Sequence, residues 1–278
     1  MMKRLTTLIY FLAGFLAAQA QGHPFLYPQI PDSLNTADKR ASYLLLHYWD
    51  RFDFSDTLQL KDADNAEQGF VNYIDLLSRL AEDIRYGNLQ HTTASTLEQS
   101  VAMFGQKAFA SQPSRNKFES LIDHYLDDPQ SPMRNDRTYL LFLKEIEQSR
   151  FFDATARERL AFKIKSKGKN LPGDKATDFS FKGKDGKQHW LHNYKTEKVI
   201  LYFYDPDCDN CHRVSAWLDK QTIPTGYTFL QIYADEKLTE LYSLEAMPSI
   251  YLLDTDNTVL LKDCPPETLI EVINSRQE

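Results

Sequence analysis

The sequence predicts an all-helical N-terminal domain followed by an α/β domain, and three observations carry that reading. Apolar residues recur at helical spacing from about residue 33 to 168. A charged stretch punctuated by glycine and proline, KSKGKNLPGDKA at Lys165–Ala176, ends that pattern. Beyond it, short β-rich runs alternate with helical ones. The expected divisions are a signal peptide at 1–20, a helical domain at 21–168 and an α/β domain at 169–278.

The N-terminus opens with Lys3 and Arg4, continues as an apolar run from Leu8 to Ala18, and reaches the small-x-small sequence Ala18-Gln19-Ala20. That order predicts a secretory signal removed after Ala20, and the run is short for a transmembrane helix. No cysteine follows it, so lipid attachment at that point is not expected. In the helical domain, Asn35 or Thr36 caps a helix carrying Tyr43, Leu44, Leu46, Tyr48 and Trp49. Phe70, Ile74, Leu77, Ala81 and Ile84 mark a second, closed by Gly87; Leu97, Val101, Phe104 and Ala108 mark a third. Phe118, Ile122 and Tyr125 mark a fourth, broken by Pro129 and Pro132. Tyr139, Leu143 and Ile146 mark a fifth, and a sixth runs from about Ala154 to Lys165 with Leu160 and Ile164 inward. No fixed period recurs, which argues against a solenoid. These aromatic stripes read as core.

In the α/β domain, DFSF (Asp178–Phe181) alternates like a strand and leads through the turn KDGK, where Asp185-Gly186 supplies positive φ. VILYFY (Val199–Tyr204) is a continuous apolar run, as in a central strand covered on both faces. A helix through Val214, Trp217 and Leu218 follows, then the strand YTFLQIYA and a short helix with Leu238, Leu241 and Tyr242. SIYLLD and TVLLKD pair across Thr255-Asp256-Asn257, and Pro265-Pro266 opens a last helix through Leu269, Val272 and Ile273. The order ββ, βαβα, ββα implies an α/β sheet covered on both sides.

With 42% hydrophobic and 26% charged residues the 278-residue chain is a core-forming protein, not a disordered or disulfide-dense one. Its net charge of −7 argues against a nucleic-acid partner. Loss of Lys3 and Arg4 with the signal would leave 30 basic against 39 acidic residues. No later run is long enough to span a bilayer.

The chemistry concentrates in DPDCDNCH, Asp205 to His212. Its C-x-x-C-H spacing admits a redox disulfide, half of a metal site, a c-type haem attachment or an inert structural disulfide. Placement weighs among them. A haem site would sit in a small all-helical domain rather than after a central strand. Zinc needs four ligands, and no second close-spaced Cys or His pair exists, although His212 and Cys264 could join. At a strand-to-helix junction, by contrast, the first cysteine meets unpaired backbone N–H groups and the helix dipole, which stabilise a thiolate. Met247-Pro248, just before SIYLLD, adds a proline where thioredoxin-like folds carry a cis proline beside the disulfide.

Residues 170–278 resemble the TlpA/ResA-type thioredoxin-like family of exported thiol–disulfide proteins, through ATDFSFKGKDGK, VILYFYDPDCDNC and MPSIYLLDTDN. Residues 33–165, around RASYLLLHYWDRFDFSD, are similar to a helical domain of unknown function attached to such modules in exported Gram-negative proteins. The resemblance implies that Cys208 is the nucleophile, Cys211 the resolving cysteine, and Pro248 a cis proline that, with Met247, contacts substrate. It further implies a periplasmic or otherwise exported protein acting on protein disulfides with a redox partner and without a metal or cofactor. The rival reading is a non-catalytic thioredoxin-fold scaffold with a locked CxxC.

Two departures bear on mechanism. Thioredoxins place a buried acid on the strand before the motif; here Tyr202 or an apolar neighbour stands there. Some exported relatives place a Glu one turn after the second cysteine; here it is Val214. Tyr202, His212 and Glu245 are candidate substitutes, although a strand tyrosine is more often core and a helix-start histidine more often solvated. Asp205, Asp207 and Asp209 surround Cys208, oppose its thiolate and so favour a reducing couple. Cys264 is expected to be free and without a catalytic role.

Overall fold

The computed structural model describes residues 24–85, 87–89, 91–149, 153–183 and 185–275. The signal segment expected at 1–20 lies outside them, as does Lys184 of the predicted KDGK turn. The chain divides into two compact units, 1–122 and 123–278.

The first unit is helical. Helix α1 spans Ala37–His47, and Thr36, not Asn35, caps it: its hydroxyl accepts the Lys39 N–H at 3.3 Å. Tyr48 and Trp49, expected on that helix, follow its last turn and drop into the core at 2% and 4% exposure. A short helix α2 (Thr57–Lys61), capped by Asp56, and a π-helical turn at Ala63–Glu67 carry no apolar stripe long enough to read from sequence. Helices α3 (Gln68–Arg85) and α4 (His91–Ala108) contain the predicted apolar positions. Helix α5 spans Gln112–Leu126 and contains the division between the units.

The core of this unit is aromatic. Trp49 lies 5.1 Å from both Phe25 and Phe104, and Phe104 meets Phe118 edge-on at 5.1 Å. Phe25 comes from the extended segment before α1 and lies against Gly69, where a Cβ would collide with its ring. Tyr48 donates to the Gly69 carbonyl at 2.9 Å and so fixes the same spot.

In the second unit, α6 (Asp136–Glu147) is capped by Asn135 and α7 (Ala154–Lys167) by Asp153. The sequence places these helices with the helical domain; compactness groups them with the sheet. Strands β1 (Ser180–Lys182) and β2 (Gln188–Trp190) form an antiparallel hairpin separate from the main sheet. The four-stranded sheet has the order β4-β3-β5-β6, with β3 at Lys198–Tyr204, β4 at Tyr227–Tyr233, β5 at Ser249–Leu253 and β6 at Val259–Leu261. β3 and β4 are parallel, whereas β5 runs antiparallel to both β3 and β6. Between the strands lie α8 (Asp209–Leu218) and α9 (Glu236–Leu241), and α10 (Pro266–Ser275) closes the chain.

Alternation along β3 explains the two-sided burial. Leu201 and Phe203 pack with Tyr242 and Tyr251 on one face, while Ile200 and Tyr202 pack with Leu218, Leu269 and Ile273 on the other. The punctuated stretch after α7 is held firmly. Gly173 N–H donates to the Val259 carbonyl at 2.8 Å, and Val259 N–H returns a bond to the Asp174 carbonyl at 2.9 Å. Asn170 is buried at φ +48°, and its side-chain oxygen accepts the Thr177 N–H at 2.7 Å.

Candidate redox site

The site forms where β3 ends. The Asp205 carboxylate accepts the Asp207 N–H at 2.8 Å and the Asp205 carbonyl accepts the Cys208 N–H at 3.2 Å, so the chain turns sharply out of the sheet. Cys208 is the N-cap of α8, with extended backbone (φ −91°, ψ 107°), and its sulfur accepts the Cys211 N–H at 3.1 Å. A cysteine sulfur thus replaces the usual capping oxygen, and it faces the positive end of the helix. Cys208 and Cys211 are joined by a disulfide across a Cα–Cα distance of 5.3 Å. Cys208 is half-buried, whereas Cys211 is 2% exposed. The two cysteines are thus unequally exposed, the first more than the second.

Met247-Pro248 is a cis peptide. The Met247 carbonyl oxygen lies 3.7 Å from Cys208 Sγ and accepts a bond from Asn210 Nδ2 at 3.2 Å. The Asn210 contact was not read from sequence, although its signal was visible: a short amide between the two cysteines.

The candidate modulators separate. Tyr202, 1% exposed, donates to the Cys211 carbonyl at 2.6 Å, and burial pushes its pKa up to about 12. It braces the helix's first turn as a neutral donor. His212 is exposed, and its Nε2 bonds the Pro206 carbonyl at 2.8 Å, so the ring serves the DPDC turn. Glu245 pairs with Lys167 at 3.7 Å. Asp207 and Asp209 are exposed, the latter in the first turn of α8. Cys264 is free and its backbone N–H bonds the Ile250 carbonyl at 3.1 Å. Burial, then the nearby Asp263 charge, pushes its thiol up to about 12, which leaves it protonated and unreactive at neutral pH. Among the described residues no group of three or more His, Cys, Asp or Glu could hold a metal ion, and no helix is long and apolar enough to cross a membrane.

The chain is similar to solved thioredoxin-like structures. A thioredoxin-like protein from Bacteroides caccae is 26% identical, with a TM-score of 0.64 over 92% of this chain and 99% of its own. The C-terminal domain of an uncharacterised Bacteroides fragilis protein is 26% identical over 38% of this chain and 98% of its own, with a TM-score of 0.35. The thioredoxin domain of a thiol-disulfide oxidoreductase from Bacteroides vulgatus is 15% identical over 39% of this chain and 99% of its own, with a TM-score of 0.31. No curated protein matches the chain. The family model for DUF5106, a domain of unknown function, matches residues 6–170. The chain belongs to the DUF5106 family and continues, after that domain, into a thioredoxin-like fold that carries the Cys208–Cys211 disulfide.

Proposed function

We propose that this protein is an exported thiol–disulfide oxidoreductase, working as a reductase or isomerase on protein disulfides. The observation that carries the reading is the half-buried Cys208 sulfur at the N-terminus of α8, disulfide-bonded to a buried Cys211 and facing the Met247 carbonyl. In the reduced protein the Cys208 thiolate attacks one sulfur of a substrate disulfide. A mixed disulfide forms and the other substrate sulfur leaves as a thiolate. Cys211, once deprotonated, attacks Cys208 and expels the second substrate thiolate, so two electrons pass from the dithiol to the substrate. A partner dithiol must then reduce the 208–211 disulfide. Met247 and Pro248 line the approach, where an extended substrate segment could pair with the backbone. The domain assignment follows the same reading: a signal at 1–20, a helical domain at 21–168 and a redox domain at 169–278. Neither nucleic acid, a metal nor a bound cofactor enters the scheme.

Export rests on the basic, apolar, Ala-Gln-Ala order of the N-terminus, and a periplasmic or otherwise exported location in a Gram-negative bacterium rests on the family resemblance. Mass analysis of the exported protein is expected to find Gln21 as its first residue. An intact Met1 would reverse that reading.

Asp205, Asp207 and Asp209 weaken the stabilisation that α8 offers the Cys208 thiolate, which favours a reducing couple. The expected reduction potential lies nearer the thioredoxin value of about −270 mV than the strongly oxidising value of about −120 mV. A dithiothreitol or glutathione titration, read by alkylation of single-cysteine variants, measures it. Alkylation should be fast at Cys208 and slow at Cys211; a strongly oxidising midpoint would overturn the aspartate argument.

One observation favours the scaffold reading. Tyr202 stands where a proton-transferring acid is expected, and it is tied to the Cys211 carbonyl as a donor. In a scaffold the disulfide would stay closed under physiological reductants and no protein disulfide would be reduced, which the same titration detects.

A further inference from the structure

The loop between α9 and β5 presents Met247 and Pro248 to Cys208, and its ends are fastened by the stretch that follows α7 and by the turn that precedes α6. On the entry side, Lys169 Nζ donates to the Thr239 carbonyl at 2.8 Å and Asn170 Nδ2 to the Leu241 carbonyl at 2.9 Å. The exit side is fastened through charge. Ser249, wholly buried and next to Pro248, donates its hydroxyl to Asp263 Oδ1 at 2.9 Å. Arg134, in the turn before α6, lies 3.2 Å from Asp263 Oδ2 and donates to the Asp263 carbonyl at 2.7 Å. Asp263 adopts φ +46°, a left-handed conformation uncommon for a residue with a side chain. Arg134 grips that residue by its carboxylate and its backbone together, and so holds the conformation that aims the carboxylate at Ser249.

Resting on the redox reading above, we infer that Arg134, through Asp263 and Ser249, is a positioning residue for the redox site, setting the Met247 carbonyl against Cys208. The working redox unit then includes the α6–α7 helices and does not begin at residue 169. The physical consequence falls on the Cys208 sulfur. A carbonyl oxygen 3.7 Å away accepts from the thiol and repels the thiolate, so it holds the thiol form. Releasing the loop withdraws that oxygen and favours the thiolate. The charged neighbours of Cys208 along its own motif are Asp205, Asp207, Asp209, His212 and Arg213, and the loop adds Glu245, which pairs with Lys167 at 3.7 Å.

The test uses the full chain, reduced, with iodoacetamide alkylation followed against pH and mapped to Cys208 by peptide mass. In Arg134→Met and in Ser249→Ala the midpoint should fall by about half a pH unit, roughly threefold more thiolate at pH 7. Arg134→Lys, which keeps a charge for the carboxylate, should recover part of the shift. An unchanged midpoint in folded Ser249→Ala overturns the inference. That variant removes one hydroxyl and no charge, so it carries the test if Arg134→Met does not fold. Insulin reduction by the wild-type protein is a separate measurement. Its absence would sink the redox reading, whereas a flat alkylation midpoint sinks the positioning role alone.

Discussion

Cys208→Ser should reduce no protein disulfide beyond the rate of the added reductant alone, and Cys211→Ser should accumulate a covalent adduct with its substrate. Both results follow from the unequal placement of the two sulfurs. In the proposed mechanism Cys208 is the attacking sulfur, half-buried at the positive end of α8, and a serine hydroxyl there does not attack a disulfide. Cys211 is 2% exposed and approaches only the sulfur of Cys208. With Cys211 replaced, the first step still runs but the second has no nucleophile, so the mixed disulfide persists until an external thiol cleaves it. Mass spectrometry of the non-reduced protein reads the adduct. Cys264→Ser should turn over like the parent, because that thiol is held protonated by burial. Full activity in Cys208→Ser would end the assignment of the nucleophile. An adduct on Cys208→Ser but not on Cys211→Ser would exchange the two roles.

The candidate redox site was legible in the sequence because the signals there are local. A continuous apolar strand, two cysteines two residues apart and a proline before a later strand are each legible one segment at a time. The strands and helices of the second unit follow that local logic. What stayed hidden depends on contacts distant in the chain. Arg134 and Asp263 are separated by 129 residues, and neither stands in a motif. Tyr202 was legible as a strand residue, but its bond to the Cys211 carbonyl depends on how α8 sits over the sheet. The stretch at Lys165–Ala176 looks like a linker by composition, since glycine, proline and charge mark turns. Its polar groups are instead satisfied by β6 and by the C-terminal end of α9, which composition does not reveal. Short α2 and the π turn lacked a stripe, because five residues cannot display a period of 3.6.

Lys262→Met should destabilise the second unit more than any other single change to its surface-distant polar groups. Lys262 Nζ lies 2.8 Å from Asp136 Oδ2, with the two side chains 2% and 5% exposed, and it also donates to the Lys167 carbonyl at 2.5 Å. Burial pushes the lysine's pKa down, and the Asp136 charge opposes that. The pair therefore survives on mutual attraction in a place that disfavours either charge alone. Removing the ammonium leaves the Asp136 carboxylate buried, with one oxygen that already has no hydrogen-bond partner and Arg134 Nε only at 4.0 Å. Breaking a buried pair from one side costs about 3–5 kcal/mol. For a unit of this size each kcal/mol moves the melting temperature by roughly 2–4 °C, so a fall of about 10 °C is expected in thermal unfolding. Lys262→Met with Asp136→Leu should recover most of the loss, because replacing both ions with apolar groups also removes their desolvation cost. That recovery distinguishes an uncompensated charge from a packing defect. A single-variant loss below about 1 kcal/mol would instead be the value of a solvent-exposed pair and would show that water reaches Asp136.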